Sequence, residues 1–163
     1  MTGPARSPQL RVRDFRPQDQ QTFRRLNEEW LTKYFAIEDK DRKVLGDPYH
    51  YILAPGGAIL IGEIDGAAVG CCALVNKGPN AFEVAKMAVT ETQQGKGLGK
   101  MLLAACVEKA GALGKKRLVL ETNSVLGTAV ALYRRFGFVE VPPEAAPPAA
   151  YSRTEMFMEL KLP

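Results

Sequence analysis

Hydrophobic residues recur along the chain with two spacings, and the spacing predicts which segments form strands and which form helices. Apolar and charged residues alternate over Leu10–Phe15, which is typical of a half-buried strand. After Pro17, apolar residues at every third or fourth position predict a long helix. A shorter helix is expected from Glu38 to Leu45, closed by a Gly-Asp-Pro turn.

Three apolar runs in the middle of the chain predict neighbouring strands. The first two, 58–64 and 67–75, are joined by Asp65-Gly66, a dipeptide that favours a tight hairpin turn. The third, 81–89, follows a turn at 77–80. The remaining predicted elements are a helix over about 97–113, a strand at 117–122, a helix over about 126–136, and closing strands at 137–141 and 153–162.

The order of these elements predicts an α/β fold. A strand, two helices, three antiparallel strands and then alternating helices and strands indicate a mixed sheet with helices on its faces. The 163 residues suggest a single domain over 10–163, with 1–9 as a disordered lead-in. The Pro- and Ala-rich segment 142–150 is expected to be a loop without regular structure.

Composition narrows the class of protein without defining its function. No apolar stretch reaches the roughly 18 residues of a membrane span, and the first ten residues lack the apolar core of a signal peptide, so a cytoplasmic protein is expected. Cys71, Cys72 and Cys106 lie in apolar runs and predict buried, inert thiols. The net charge of +4 suits a polyanionic small ligand and is weak evidence for nucleic acid.

The segment 90–103, TETQQGKGLGKMLL, places three glycines and two lysines between a strand and a helix. Unpaired amides at a helix start carry partial positive charge, so this turn can hold phosphate. It is not a P-loop, because Gln94 stands at the first glycine position and Met101 replaces the hydroxyl residue. Lys100 stands where a dinucleotide fingerprint needs Gly or Ala. A glycine turn that binds no ligand remains an alternative.

The hexapeptide Gln94–Gly99 does fit the pattern Gln-x-x-Gly-x-Gly, and it resembles the pyrophosphate loop of the GNAT superfamily of acetyl-CoA-dependent N-acetyltransferases. FEVAKMAV resembles the central strand of that family, and ALYRRFGF resembles its Tyr-x-x-x-Gly-Phe signature. The resemblance covers about 10–162 and is strongest to small bacterial members. It implies the GNAT fold, with a mostly antiparallel sheet. It also implies an enzyme that moves an acetyl group from acetyl-CoA to a primary amine in a ternary complex, with no metal.

The resemblance also implies which residues hold acetyl-CoA. The main chain of Met87, Ala88 and Val89 is expected beside the pantetheine arm, with one N–H facing the thioester oxygen. Many family members carry Asn seven residues before the signature tyrosine, but Leu126 stands there in this chain. Asn123 either replaces that contact or caps the next helix. The predicted cofactor-binding residues are Met87, Ala88, Val89, Gln94, Gly95, Lys96, Gly97, Leu98, Gly99, Lys100 and Asn123.

Two residues are the candidates for catalysis. Glu83 lies eleven residues before Gln94, the spacing of the general base in histone-acetylating relatives, although a solvated glutamate at a strand end is the alternative. Glu121 and Glu63 are reserve candidates for the base. Tyr133 matches the family tyrosine that protonates the leaving thiolate, and its pKa near 10 suits that role. The alternative for Tyr133 is a core tyrosine on an apolar helix face.

The acceptor site is expected between the first helices and the end of the proline-rich loop. Trp30 and Tyr34 are predicted to form one wall, and Tyr151 and Arg153 to recognise polar groups. The planar fork of Arg153 suits a carboxylate, which suggests an acceptor with a carboxylate near its amine. The alternative is an exposed arginine that starts a strand. His50 and the tyrosines beside it are expected to pack rather than to catalyse.

Other classes of function stay open on the sequence alone. A non-catalytic acyl-CoA-binding sensor would keep the glycine turn and has no need of Glu83 or Tyr133, so the presence of both favours the enzyme. A nucleic-acid-binding protein is suggested only by the basic pI. Neither a nucleic-acid nor a membrane partner is expected. The acceptor is not identified, and the chain is expected to be a monomer or a homodimer.

Overall fold

The computed structural model describes residues 6–163, and the seven strands of this range form one sheet. Their order is β1-β2-β3-β4-β5-β7-β6, and every neighbouring pair is antiparallel except β4 and β5. The predicted mixed, mostly antiparallel sheet is confirmed. The strands are β1 (Leu10–Asp14), β2 (Ala58–Ile64), β3 (Ala67–Asn76), β4 (Ala81–Val89), β5 (Arg117–Thr122), β6 (Val139–Val141) and β7 (Met156–Lys161). The helices are α1 (Gln20–Tyr34), α2 (Asp39–Gly46), α3 (Leu98–Ala112) and α4 (Gly127–Arg135).

Local structure follows the sequence pattern, with three differences. Asp65 and Gly66 have φ of 50° and 82°, as a tight hairpin turn requires. The helix predicted after Pro17 begins as a 3-10 turn before α1, and the proline-rich loop contains a 3-10 turn at Pro143–Ala145. A π-helical turn at Tyr49–Leu53 had no sequence signal. Residues 6–9 form neither helix nor strand, and the rest of the predicted lead-in lies outside the described residues.

The sheet is covered on both faces, as predicted. One core cluster joins α3 to the sheet and includes Cys72 and Cys106, and the other joins α1 and α2 to the opposite face and includes Cys71. Adjacent residues on a strand point to opposite faces, which separates the two neighbouring cysteines. All three cysteines are free and buried. Burial raises the pKa of the Cys71 thiol to about 12, as expected for an inert thiol.

Two glycines bring the start of α3 close to the sheet. A Cβ added at Gly62 on β2 would lie 2.9 Å from the Leu98 side chain, and one at Gly70 on β3 would lie 3.0 Å from it. Leu98 is the first residue of α3 and is buried over these glycines. Side chains at either position would push α3 outward. The pair therefore sets the height of the glycine turn above the sheet.

The parallel strands β4 and β5 pair only over a short stretch. Ala81–Glu83 pairs with Arg117–Val119, and beyond Glu83 the two strands have no paired residues. The register of β4 against β3 shifts between Ala85 and Ala88. Lys86 lies in this bulge with φ of 53°, a left-handed conformation that is uncommon for a residue with a side chain. The separation leaves a cleft in the sheet beside the bulge.

Candidate active site

Two connected cavities occupy this cleft. The large cavity has a volume of about 500 Å³ and runs along β4 to the start of α3 and to α4. The small cavity has a volume of about 200 Å³ and lies between β4, the first two helices and the loop before β7. The residues that line both cavities are Trp30, Val84, Ala85, Lys86, Glu121, Thr122 and Leu126.

The glycine turn forms part of the lining of the large cavity. Gly97 caps α3 with φ of 90°, and the first bond that enters the helix runs from the Met101 N–H to the Gly97 carbonyl at 3.1 Å. The N–H groups of Gly95–Lys100 therefore have no main-chain acceptor among residues 6–163. The Gln94 side chain donates to the Val89 carbonyl at 3.0 Å, which ties the turn to the end of β4. The turn presents free amides to the cavity, as a phosphate site needs.

Most of the predicted cofactor-binding residues line this cavity, and two do not. Lys96 is not part of the lining, and its ammonium donates to the Gln93 side chain at 2.7 Å. Asn123 lines the small cavity instead, and its amide is bonded to the Arg153 carbonyl at 3.0 Å and the Val125 N–H at 2.9 Å. The side chain of Asn123 holds the neighbouring loops and does not face the glycine turn. The residues that do line the large cavity are Met87, Ala88, Val89, Gln94, Gly95, Gly97, Leu98, Gly99 and Lys100.

Tyr133 lies on α4 and lines the large cavity. Its ring packs against Phe138 at 5.8 Å between centroids, so the residue belongs to the core as well as to the cavity. Burial raises the pKa of Tyr133, which keeps the phenol protonated at neutral pH. Within residues 6–163, every polar side-chain atom that is fully buried has a hydrogen-bond partner, whereas the Tyr133 hydroxyl has none. The hydroxyl is therefore not fully buried, and it opens to the cavity that Tyr133 lines.

Glu83 and Glu121 face each other in the small cavity. Glu121 is fixed by the Ala150 N–H at 2.8 Å and the Thr154 hydroxyl at 3.0 Å. Burial raises the pKa of Glu83 and the negative charge of Glu121 adds to this, while the Lys77 ammonium at 3.9 Å opposes it. The Glu83 side chain is only 17% exposed, so it is not a freely solvated strand-end glutamate.

The reserve candidate Glu63 has a different environment. It lies on β2, lines neither cavity and accepts a hydrogen bond from Arg13 at 3.0 Å. Arg13 also binds Asp19 through both terminal nitrogens. Glu63 therefore belongs to an ion-pair network between β1, β2 and the start of α1.

A buried ion cluster lies beside the small cavity. Asp41 on α2 is fully buried and accepts hydrogen bonds from Lys86 Nζ at 2.5 Å and from Arg153 Nη1 and Nη2 at 2.8 and 2.7 Å. Lys86 also donates to the Tyr151 hydroxyl at 3.2 Å. Burial disfavours the charged form of Asp41, but the bonds from Arg153 and Lys86 outweigh it and lower its pKa to about 2. Burial lowers the pKa of Lys86, and the bond to Asp41 opposes that shift.

Aromatic side chains form much of the remaining wall of the small cavity. Trp30, Phe35, Tyr51 and Tyr151 all line it. The Arg153 guanidinium stacks 3.9 Å from the centre of the Tyr151 ring. Of the predicted acceptor residues, Trp30, Tyr151 and Arg153 are therefore brought together here.

Two tyrosines and Arg153 have surroundings that the sequence did not predict. Tyr34 lines the large cavity and is 44% exposed. Tyr51, expected only to pack, lines the small cavity. The terminal nitrogens of Arg153 already bind Asp41. A carboxylate of the protein therefore occupies the position in which the carboxylate of an acceptor was expected. Sequence reasoning missed Asp41, which lies among charged residues on a short helix. It also missed Lys86, whose signal was a lysine inside an apolar strand.

Known proteins resemble this chain in sequence and in fold. The sequence model of the Acetyltransferase (GNAT) family matches residues 13–138. An uncharacterized N-acetyltransferase of Schizosaccharomyces pombe is 30% identical over 148 residues, which is 86% of this chain and 90% of that protein. An IAA acetyltransferase of Azospirillum brasilense is 32% identical over 137 residues, covering 77% of this chain and 88% of that protein. A Salmonella typhimurium structure, described as a putative acetyltransferase with its cofactor acetyl-CoA, superposes with a TM-score of 0.73 at 20% identity, covering 94% of each chain.

The chain belongs to the GNAT family of acetyltransferases and is an enzyme of that class. The family assignment and the fold expected from the glycine turn and the tyrosine signature are thereby confirmed, and the sensor alternative is not favoured. Within residues 6–163 no helix is long and apolar enough to cross a membrane. The same range contains no group of three or more His, Cys, Asp or Glu residues placed to hold a metal ion.

Proposed function

We propose that this enzyme transfers the acetyl group of acetyl-CoA to a primary amine by direct attack in a ternary complex. The observation that carries the proposal is the junction of the two cavities in the cleft between β4 and β5. Tyr133 lines the large cavity, Glu83 lines the small cavity, and seven residues line both. Acetyl-CoA bound in the large cavity and an amine bound in the small cavity would meet between Tyr133 as the proton donor and Glu83 as the proton acceptor.

The large cavity fits acetyl-CoA. The free amides of Gly95–Lys100 suit its pyrophosphate, and the unpaired edge of β4 over Met87–Val89 suits its pantetheine arm. Bound there, acetyl-CoA would supply the acetyl group as a thioester. Acetyl-CoA in the Salmonella neighbour, which has the same fold, supports this choice of donor.

The small cavity supplies the proton acceptor. An alkylamine has a pKa near 10, so it must lose a proton before or during its attack on the thioester carbon. Glu83, with a raised pKa, accepts that proton through a water molecule. The carboxylate of Glu121 lies beside it and favours the protonated form of Glu83 once the proton has arrived.

The large cavity supplies the oxyanion contact and the proton donor. One N–H of Met87–Val89 donates a hydrogen bond to the thioester oxygen as negative charge develops there. The nitrogen–carbon bond then forms fully, the carbon–sulfur bond breaks, and the Tyr133 hydroxyl gives its proton to the departing sulfur.

The test is a panel of primary amines assayed for CoA release with acetyl-CoA, together with thermal unfolding. Acetyl-CoA is expected to raise the melting temperature, because a ligand that binds only the folded state stabilises it. At least one amine is expected to release CoA above the rate of acetyl-CoA hydrolysis. Stabilisation by NAD or ATP and none by millimolar acetyl-CoA would contradict the choice of donor. CoA release that no amine accelerates would contradict the acceptor class.

A further inference from the structure

A carboxylate that is part of the protein lies beside the small cavity, bound to two cations of its lining. Asp41 accepts two hydrogen bonds from the terminal nitrogens of Arg153 and one from Lys86. A two-pronged arginine contact with an added lysine is the arrangement with which proteins bind the carboxylate of a ligand. Here an aspartate of α2 fills the place of that ligand.

The three side chains are held in place by contacts outside the cluster. Asp41 also accepts the Glu38 N–H at 2.9 Å, which fixes its carboxylate at the start of α2. Arg153 lies against the ring of Tyr151, and Lys86 is fixed in the bulge of β4. The exposed fraction of the side chain is 0% for Asp41, 5% for Lys86 and 11% for Arg153. Since breaking a buried ion pair leaves an uncompensated charge, an acceptor cannot easily displace Asp41.

The charge that remains for an acceptor is negative deep in the cavity. Glu83 and Glu121 both face it. The other two lysines of the lining, Lys40 and Lys77, have exposed side chains and are already engaged: the Lys77 ammonium lies 3.9 Å from Glu83, and the Lys40 ammonium lies 5.1 Å from the centre of the Tyr151 ring. An amine is attracted to the two glutamates, whereas a carboxylate brought in with it meets like charges and no unpaired buried cation.

We infer that Asp41 determines acceptor specificity by occupying the cations of Arg153 and Lys86. Because these cations are not free to bind a carboxylate, the small cavity selects primary amines with no carboxylate beside the amine. The inference rests on the proposed function of this cavity. The volume of about 200 Å³ and the rings of Trp30, Phe35, Tyr51 and Tyr151 fit a compact acceptor with an apolar or aromatic body. Asp41 is a positioning residue, because it acts through the two cations.

Matched acceptors test the inference on the unchanged enzyme. Each amine that releases CoA is compared with the analogue that differs by one carboxylate beside the amine, such as 2-phenylethylamine with phenylalanine or tyramine with tyrosine. We expect kcat/KM to be at least about tenfold higher for the member without the carboxylate, since an unpaired buried charge is costly. Equal or reversed preference overturns the inference and leaves the acetyltransferase activity standing. Failure of every amine to release CoA counts against the proposed function itself.

Substitution of Asp41 tests the same inference from the other side. Asp41→Asn is expected to move the ratio of kcat/KM values at least about tenfold toward the carboxylate-bearing member, because Arg153 and Lys86 become free to bind it. The KM for acetyl-CoA should not change, since Asp41 does not line the large cavity. Asp39→Asn is the matched control: this residue lies on the same helix, has a side chain that is 91% exposed and, among residues 6–163, pairs only with Arg42. An unchanged ratio in Asp41→Asn overturns the inference.

A third measurement needs no acceptor. Formate is expected to raise the melting temperature of Asp41→Ala, compared with chloride at equal ionic strength, and to have no such effect on the unsubstituted protein or on Asp39→Asn.

If Asp41→Ala does not fold, the acceptor preference of Arg153→Leu tests the inference instead. Preference for amines without a carboxylate should persist in that variant, because Asp41 still pairs with Lys86. A raised KM confined to carboxylate-bearing acceptors would show that Arg153 binds them, and would overturn the inference.

Discussion

The two cavities of the cleft are built from different parts of the protein. The large cavity is lined by neighbouring residues at 87–89 and by the glycine turn at the start of α3, where free main-chain amides occur. The polar groups of the small cavity are side chains that come from α2, β4, β5 and the loop before β7. Substitutions can therefore change the acceptor side without altering the atoms that would hold the donor. The residues that line both cavities must suit the donor and the acceptor at the same time.

The largest effect that tests this division is expected at Tyr133. Tyr133→Phe keeps the ring and its packing on Phe138 but removes the hydroxyl that opens to the large cavity. We expect kcat to fall by about 10²–10⁴, the range of a general acid, with the Kd for acetyl-CoA nearly unchanged. Single-turnover rates and acetyl-CoA titration measure the two quantities. If kcat is unchanged, the proton of the leaving thiolate comes from elsewhere, and the large cavity only binds.

Glu83→Gln should produce the next largest loss, on the acceptor side. We expect kcat/KM to fall roughly 10²-fold, because the amide cannot accept a proton. In the unsubstituted enzyme kcat/KM should decrease as the pH falls through the pKa of Glu83, which burial raises, since the base must be ionised. That limb of the pH profile is expected to be lost in Glu83→Gln. Glu121→Gln is the matched variant, and a larger loss there would make Glu121 the base.

A smaller effect is expected from the glycine turn. Gly97 has φ of 90°, where a side chain costs about 1–2 kcal/mol, so Gly97→Ala should reshape the turn and weaken acetyl-CoA binding about tenfold. Gly99 has no positive φ, and a Cβ there would lie 3.7 Å from Leu132, an ordinary contact. Gly99→Ala is the control and should leave the Kd within about threefold. Equal weakening by both variants would mean that side-chain bulk, and not the main-chain conformation, limits binding.

The secondary structure around the glycine turn could be predicted because its requirements are local. Glycine spacing, the strand before it and the helix after it are all visible within 81–113, and the structure has each of them. Tyr133 was found through a motif, and it does line the predicted cavity. Asp41 could not be found in this way, because its partners Lys86 and Arg153 are 45 and 112 residues away along the chain. These charges come together only in the folded chain. From the sequence, the partner of Arg153 was therefore expected to be a carboxylate of the acceptor.

The smallest effect separates the two lysines of the turn, which the sequence alone treats alike. Lys100 lines the large cavity, whereas Lys96 does not, and the Lys96 ammonium donates to the Gln93 side chain at 2.7 Å. Lys100→Gln should weaken acetyl-CoA binding about two- to fivefold, because one exposed charge contributes less than about 1 kcal/mol, and the difference should shrink as salt screens it. Lys96→Gln should leave the Kd within error at every salt concentration. Equal weakening by the two variants would mean that the turn attracts the donor through its total charge, and that the direction of each side chain is unimportant.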